Sequence, residues 1–297
     1  LTDDGKYLLV GNFNPHTAVL LDTDTFEIVK EYKIETTLNG EEITSRVGGI
    51  AQSGSKLYVV IKDANQVWVI DTAQDGFPII AKYEDMGQKN GVTTPPLHDI
   101  YLTPDAKYLI AAVQDAAVAW VLDIDTGNVV AEIPTGKTPH TGPGATVDNL
   151  TFVPTLDDDG IVSVIDTNTW ENVMDIKTGG PSLFIRHNPQ AESSHEYKYV
   201  WAETAFGDRH DEIYLINLDW VKEKKANPIE FTLRPVPGES SWHPEFTHSG
   251  EFVYIVSMTG NQVVVYDANT IEVVARIQSG TPSSVINVGS RTEEPGL

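Results

Sequence analysis

The chain reads as an all-β propeller built from four-stranded blades, and three observations predict it. An apolar run ending in Asp or Asn recurs six times, closing at Asp22, Asp71, Asp123, Asp166, Asn217 and Asp267, about 50 residues apart each time. A turn-opened strand precedes most of these runs, as in Asp4-Gly-Lys-Tyr-Leu, Gly54-Ser-Lys-Leu-Tyr, Asp105-Ala-Lys-Tyr-Leu and Ser249-Gly-Glu-Phe-Val-Tyr. A third strand follows most of them, as in Asn128-Val-Val-Ala-Glu-Ile, Glu171-Asn-Val-Met-Asp-Ile and Glu272-Val-Val-Ala-Arg-Ile. Alternating apolar residues, β-branched side chains and Asp/Asn/Gly junctions are strand and hairpin signals. With an innermost strand opening each repeat, they make four strands per blade.

Six complete repeats are expected, in one propeller domain spanning 1–297. After the sixth, Thr281-Pro-Ser-Ser-Val-Ile-Asn-Val288 reads as the innermost strand of one further, partial blade. A closing blade usually takes its other strands from the opposite terminus, so further sequence is expected ahead of Leu1. The fifth repeat is the most irregular. It carries an insertion at Asn188 to His195, a charged loop at Gly207 to Glu212, and a helical patch from Leu218 to Ala226. The Asp22/Asp24 and Asp123/Asp125 pairs have calcium-loop spacing, but they recur with the hairpins and are read as turn formers. Asn149-Leu-Thr151 is a glycosylation sequon inside strand-like sequence and is read as accidental.

Composition narrows the function. The chain has 297 residues, 40% of them hydrophobic, enough for a substantial core. Its formal charge of −23 argues against a nucleic-acid partner, which needs a basic surface. The same charge suits a periplasmic or otherwise extracytoplasmic protein. No apolar run approaches the ~20 residues of a membrane helix, so a membrane-spanning chain is not expected. The absence of cysteine excludes zinc–thiolate sites, iron–sulfur clusters and covalently attached c-type haem within this segment.

The stretch Ala131-Glu-Ile-Pro-Thr-Gly136-Lys137-Thr138, which runs on into Pro139-His140-Thr141-Gly142, fits the relaxed form of the phosphate-loop signature. A phosphate loop must feed directly into a helix whose amides hold the anion, and Pro139 with the following Gly/Pro-rich turn forbids one. The histidine has another use. In a propeller the innermost strands begin on one face, so residues at their starts converge on an axial pocket. Those starts are Ser45-Arg46-Val47, Leu97-His98-Asp99, Thr138-Pro139-His140, Pro181 to Arg186, Ser241-Trp242-His243, and Thr281-Pro282-Ser283. The candidate binding residues are therefore Arg46, His98, His140, Arg186, His243 and Pro282. His98 and His140 open neighbouring blades and are expected to face one pocket, as proton donors to a small anion. The arginines suit a ligand bearing several carboxylates, although Arg46 reads equally well as a surface ion pair and His243 as a turn residue. His16, His187, His195, His210 and His248 read as loop or turn residues.

These stretches resemble the haem d1 propellers, the d1 domain of cytochrome cd1 nitrite reductase and the related proteins of haem d1 biosynthesis. The resemblance covers nearly the whole chain. It rests on Leu9-Val-Gly-Asn-Phe-Asn-Pro15, Ser45-Arg-Val-Gly-Gly-Ile50, Leu97-His-Asp99, Gly136-Lys-Thr-Pro-His140, Gly179-Gly-Pro-Ser-Leu-Phe-Ile-Arg186, Pro244-Glu-Phe246 and Thr281-Pro282. It implies an eight-bladed propeller with haem d1 across its axis and an iron ligand from an early blade, upstream of Leu1. It also implies that His98 and His140 supply protons on the distal side during reduction of nitrite to nitric oxide. Pro143 stands where the reductase has an arginine, and the ending after Thr281 looks closer to the biosynthetic relatives.

The leading expectation is accordingly a nitrite-reductase-type oxidoreductase domain, served by an electron-donor cytochrome and commonly a homodimer. The first alternative is a haem d1 biosynthesis or transfer protein that binds a precursor and meets assembly partners. The second is a cofactor-free YVTN-like surface or binding propeller.

Overall fold

The computed structural model describes residues 1–84, 96–142, 144–188 and 198–286, with the backbone of 88–89 and 92–93. Its strands form successive antiparallel meanders, and the fold is an all-β propeller fold. The first sheet comprises Tyr7–Gly11, Thr17–Asp22 and Ile28–Lys33. Among the described residues it has three strands, where the repeats predict four. Five four-stranded sheets follow, each running in chain order from innermost to outermost strand. Their innermost strands are Val47–Ser53, Leu97–Leu102, Ala145–Val147, Ile185–His187 and Trp242–Phe246.

The recurring Asp closes each hairpin by chemistry local to the turn. Asp22 Oδ1 accepts the backbone N–H groups of Asp24 at 3.0 Å and Thr25 at 2.9 Å. Asp123 and Asp267 repeat the arrangement with Asp125 and Thr126, and with Asn269 and Thr270. These bonds turn the chain and occupy the carboxylate, as the turn-former reading expects. Asn217 differs because it caps a helix, accepting from Asp219 N at 2.9 Å and Trp220 N at 3.2 Å. The helix runs only Leu218–Lys222, shorter than the patch read from sequence, because Lys224 turns left-handed at φ 55°.

The chain divides into two compact units, residues 1–132 and 133–290. In the first, Leu9, Leu20, Leu57, Trp68 and Ile70 fill the space between the first and second sheets. Tyr58, Val69, Leu97, Leu109 and Trp120 do the same between the second and third. In the second unit, Phe152, Val164, Ile185 and Val200 pack the fourth sheet on the fifth, and Trp201, Leu215, Ile255 and Tyr266 pack the fifth on the sixth. Alternate residues of each strand thus enter the layers on its two sides, which is why both faces of the middle strands are apolar.

Two expectations are corrected. Residues 281–286 form no strand, and Ile286 is 59% exposed, since no neighbouring strand among the described residues offers them a ladder. His187 is not a turn residue but a buried member of the innermost strand Ile185–His187. Most of the insertion from Asn188 to His195 lies outside the described residues, and Asn188 itself donates to the Gly250 carbonyl at 2.6 Å.

Candidate functional site

A break in register recurs at the head of the innermost strands. In the second sheet Val47 pairs with Ile61 and the ladder resumes at Ile50–Val59, leaving Gly48 and Gly49 in a bulge. In the third, Leu97 pairs with Val113 and pairing resumes at Ile100–Ala111, leaving His98 and Asp99 there. In the fourth, Pro139 bridges Thr155 and pairing resumes at Ala145–Phe152, so His140 opens a longer loop. Gly48, His98 and His140 therefore hold one register position in three consecutive sheets. In the sixth sheet the break falls at His243 and Pro244, and His243 adopts φ 52°. Bulges re-aim side chains out of the pleat, and here they set histidines at strand heads.

In the first unit the site is built around His98, which is half-buried. Gly48 has no room for a side chain, because a Cβ there would come within 2.2 Å of the His98 carbonyl oxygen. The glycine pair lets the second sheet's innermost strand lie directly against His98 and Asp99. Lys62, only 5% exposed, places Nζ 2.7 Å from His98 Nδ1. Burial pushes the Lys62 ammonium down to about 8, against the opposing pull of Asp99. Arg46 Nε and Nη2 hold Asp63 at 3.0 and 2.5 Å, and the Arg46 N–H adds a bond to the same carboxylate at 2.9 Å. The ion-pair reading of Arg46 describes this arrangement.

In the second unit His140 holds its backbone against Pro154 O at 2.9 Å and its Nδ1 against the Leu183 carbonyl at 3.0 Å. The Phe184 ring lies 5.9 Å from the His140 ring and 3.9 Å from the His243 ring, and Trp242 lies 5.6 Å from His243. Beneath them is Glu203, fully buried, whose carboxyl accepts the backbone N–H groups of His243 and Phe184. Burial raises Glu203 to about 8, although these N–H groups oppose the shift. His187 moves the other way, down to about 3, because burial and then Arg186 disfavour its cation.

Arg186 departs from expectation. Its side chain is 5% exposed and paired with Glu245 at 3.2 Å, itself 5% exposed. Its position inside the strand, two residues beyond Phe184, sets the guanidinium against Glu245, so a ligand carboxylate would compete with that pair. Pro282 is half-buried in the segment that forms no strand. His210 makes a turn contact to the Gly207 carbonyl at 2.8 Å, whereas His16 meets the side chain of Thr44, 28 residues on, at 2.8 Å. The segment 136–142 carries no helix, as the rejection of a phosphate loop requires.

Sequence reasoning missed Lys62, Glu203 and Phe184 as site residues. Phe184 lay within a quoted run, while Lys62 follows an apolar strand and Glu203 ends one, with no local pattern to mark them.

Comparison with known proteins gives a consistent assignment. The family model described as "Cytochrome D1 heme domain" matches residues 1–291. The chain is 31% identical over 297 residues to the dihydro-heme d1 dehydrogenase of Pseudomonas aeruginosa, covering 98% of this chain and 56% of that protein. It is 25% identical over 310 residues to Protein NirF of Stutzerimonas stutzeri, covering 73% of that protein. The solved structure of dihydro-heme d1 dehydrogenase NirN in complex with DHE superposes with a TM-score of 0.79 at 30% identity, over 98% of this chain and 59% of that one. The chain thus spans somewhat over half the length of this dehydrogenase. The β-propeller domain of Myceliophteria thermophila Cps50, 16% identical with a TM-score of 0.65, shares the fold. On its sheets, its strand-head histidines and a match running nearly end to end, the chain belongs to the cytochrome D1 heme domain family, whose cofactor is haem d1.

Proposed function

We propose that this chain binds haem d1 or its dihydro precursor and handles that macrocycle during cofactor assembly. The observation that carries the reading is the likeness, across 98% of the chain, to a dihydro-heme d1 dehydrogenase. Together with NirF, it favours the biosynthetic alternative over the nitrite reduction that the resemblance first implied.

The residues present suit a flat, conjugated, carboxylate-bearing group. In the second unit Phe184, His243 and Trp242 offer ring faces for stacking. Among the described residues, the buried Thr141 Oγ1, Ser182 Oγ, Ser241 Oγ and Trp242 Nε1 have no hydrogen-bond partner, although such atoms ordinarily find one. In the first unit Lys62 brings a buried cation beside His98. Bound haem d1 would supply an iron-centred redox group.

The chain's own residues supply position and protons. His140, tied to Leu183, and His98, tied to Lys62, are the proposed proton-handling groups. Phe184 and His243 would hold the macrocycle by stacking, and the fully buried Glu203 fixes the backbone of both residues. Arg46 could meet a ligand carboxylate only in competition with Asp63. The reading includes an extracytoplasmic location, for which the acidic surface is the support, and assembly proteins as partners.

The test uses the full-length protein loaded with the dihydro macrocycle. With two equivalents of a one-electron acceptor, which take the two electrons while two protons leave to solvent, the spectrum is expected to move to that of haem d1, or the macrocycle to pass intact to an acceptor apoprotein. Nitrite plus reductant is expected to yield no catalytic nitric oxide. Sustained nitric oxide formation would overturn the biosynthetic reading.

A further inference from the structure

Lys62 opens a short 3-10 turn, Lys62–Ala64, between the second and third strands of the second sheet, and its N–H is tied to the Arg46 carbonyl at 3.0 Å. Its side chain is buried, with Nζ 2.7 Å from His98 Nδ1 and 3.5 Å from Gln114 Oε1. The charged groups acting on it are Asp99 beside His98, Arg46 and Asp63 in their mutual pair, and Asp115 on the turn after the third sheet's second strand. Arg46 already shares its charge with Asp63, so Lys62 is the buried cation that meets the imidazole.

An ammonium has three donors and no acceptor. In this contact Nδ1 must therefore accept, and the proton of the neutral ring resides on Nε2. The tautomer of a histidine is set by the bond its other nitrogen makes. A second protonation would place an imidazolium beside an ammonium in a poorly solvated site, and this disfavours the charged ring. His140 has the opposite arrangement, since a carbonyl can only accept and Leu183 therefore takes a proton from Nδ1. Two histidines at one register position are thus set in opposite tautomers by different neighbours.

We propose that Lys62 is a positioning residue for His98, holding the imidazole neutral as its Nε2–H tautomer so that it acts as a hydrogen-bond donor toward an anionic oxygen of the bound macrocycle. The functional part rests on the reading of the chain as a haem d1-binding protein, while the tautomer itself belongs to the apoprotein. The contact is conditional on pH. Burial lowers Lys62 to about 8. Above that value the neutral amine can accept from Nδ1–H, and the preference for the Nε2–H form is lost.

The test is nitrogen-15 NMR of the histidine rings in the full-length apoprotein. At pH 7 His98 is expected as the Nε2–H tautomer, with the preference weakening as pH passes 8. In Lys62→Met the ring is expected as a tautomer mixture. Lys62→Arg, which keeps a cation, is expected to restore the wild-type pattern. The wild-type titration decides the matter even if a variant fails to fold. An Nδ1–H tautomer in the wild type at pH 7, or a pattern unchanged in Lys62→Met, would overturn the proposal.

Macrocycle binding is read separately, by absorbance. Lys62→Met is expected to weaken it about tenfold, consistent with loss of an oriented donor, and unchanged affinity would overturn the functional part. If the wild type bound no macrocycle at all, the proposed function would fail, with the tautomer result intact.

Discussion

His140 donates its Nδ1 proton to the carbonyl of Leu183, 3.0 Å away across the boundary between the fourth and fifth sheets. That bond fixes the ring at the head of its blade, beside the face of Phe184. In its neutral form His140 is expected as the Nδ1–H tautomer in nitrogen-15 spectra of the apoprotein. The Nε2–H tautomer would contradict the arrangement. Phe184→Ala is expected to leave the tautomer in place and to weaken macrocycle binding about tenfold through lost stacking, measured by absorbance titration.

Glu203 ties stability to pH. Its folded value is raised by burial to about 8, so the folded chain keeps a proton that the unfolded chain has released above about 4.3. Its stabilising contribution is therefore full at low pH and is lost as pH rises toward 8, at about 1.4 kcal/mol per pH unit within that window. His187 acts in the opposite sense below about 6.5, because its folded value is lowered to about 3 and acid favours the unfolded chain. Glu203→Gln keeps an oxygen for the N–H groups of His243 and Phe184. It is expected to remove the decline between pH 6.5 and 8 in denaturant melts. An identical decline in the variant would contradict the assignment.

The Arg46–Asp63 pair gives an acid-side prediction. Burial pushes the Asp63 carboxyl up, but hydrogen bonds from Arg46 outweigh it and leave the carboxyl below its ordinary value. The contribution is present above the unfolded carboxylate range and is lost as pH falls through the folded value. The pair is partly exposed, so Asp63→Asn is expected to cost only about 1 kcal/mol at neutral pH. Chemical denaturation at pH 7 and at progressively lower pH checks this, with the difference expected to shrink as acid protonates Asp63.

Gly48 tests the close approach of the second and third sheets. In Gly48→Ala the new methyl would meet the His98 carbonyl, backbone that cannot swing aside. The variant is expected to lose about 1–3 kcal/mol and to shift the His98 ring signals. Wild-type stability with unshifted signals would show that the strands are not in this contact.

Much of the fold was legible because its signals are local. Each Asp that closes a hairpin bonds amides two or three residues ahead, so Asp22, Asp123 and Asp267 announce their turns without reference to the rest of the chain. The positions of His98 and His140 were legible for a related reason, since the repeat period fixes where each innermost strand begins. What was not legible depends on tertiary partners. Arg186 looked available until Glu245, from the next blade, was placed against it. Lys62 carries no mark until the fold sets its amine on His98, and Glu203 looks like an ordinary strand-end carboxylate until burial raises it. The strand expected at Thr281 to Val288 failed over its described part for the same reason, because a strand exists only where a partner is present to pair with it.

The central claim is that this propeller binds the haem d1 macrocycle. Its most direct test is an absorbance titration of the full-length apoprotein with haem d1. The account predicts a saturable spectral shift at one macrocycle per chain, weakened in His98→Ala and His140→Ala. A spectrum that remains that of free haem d1 at every protein concentration would contradict it.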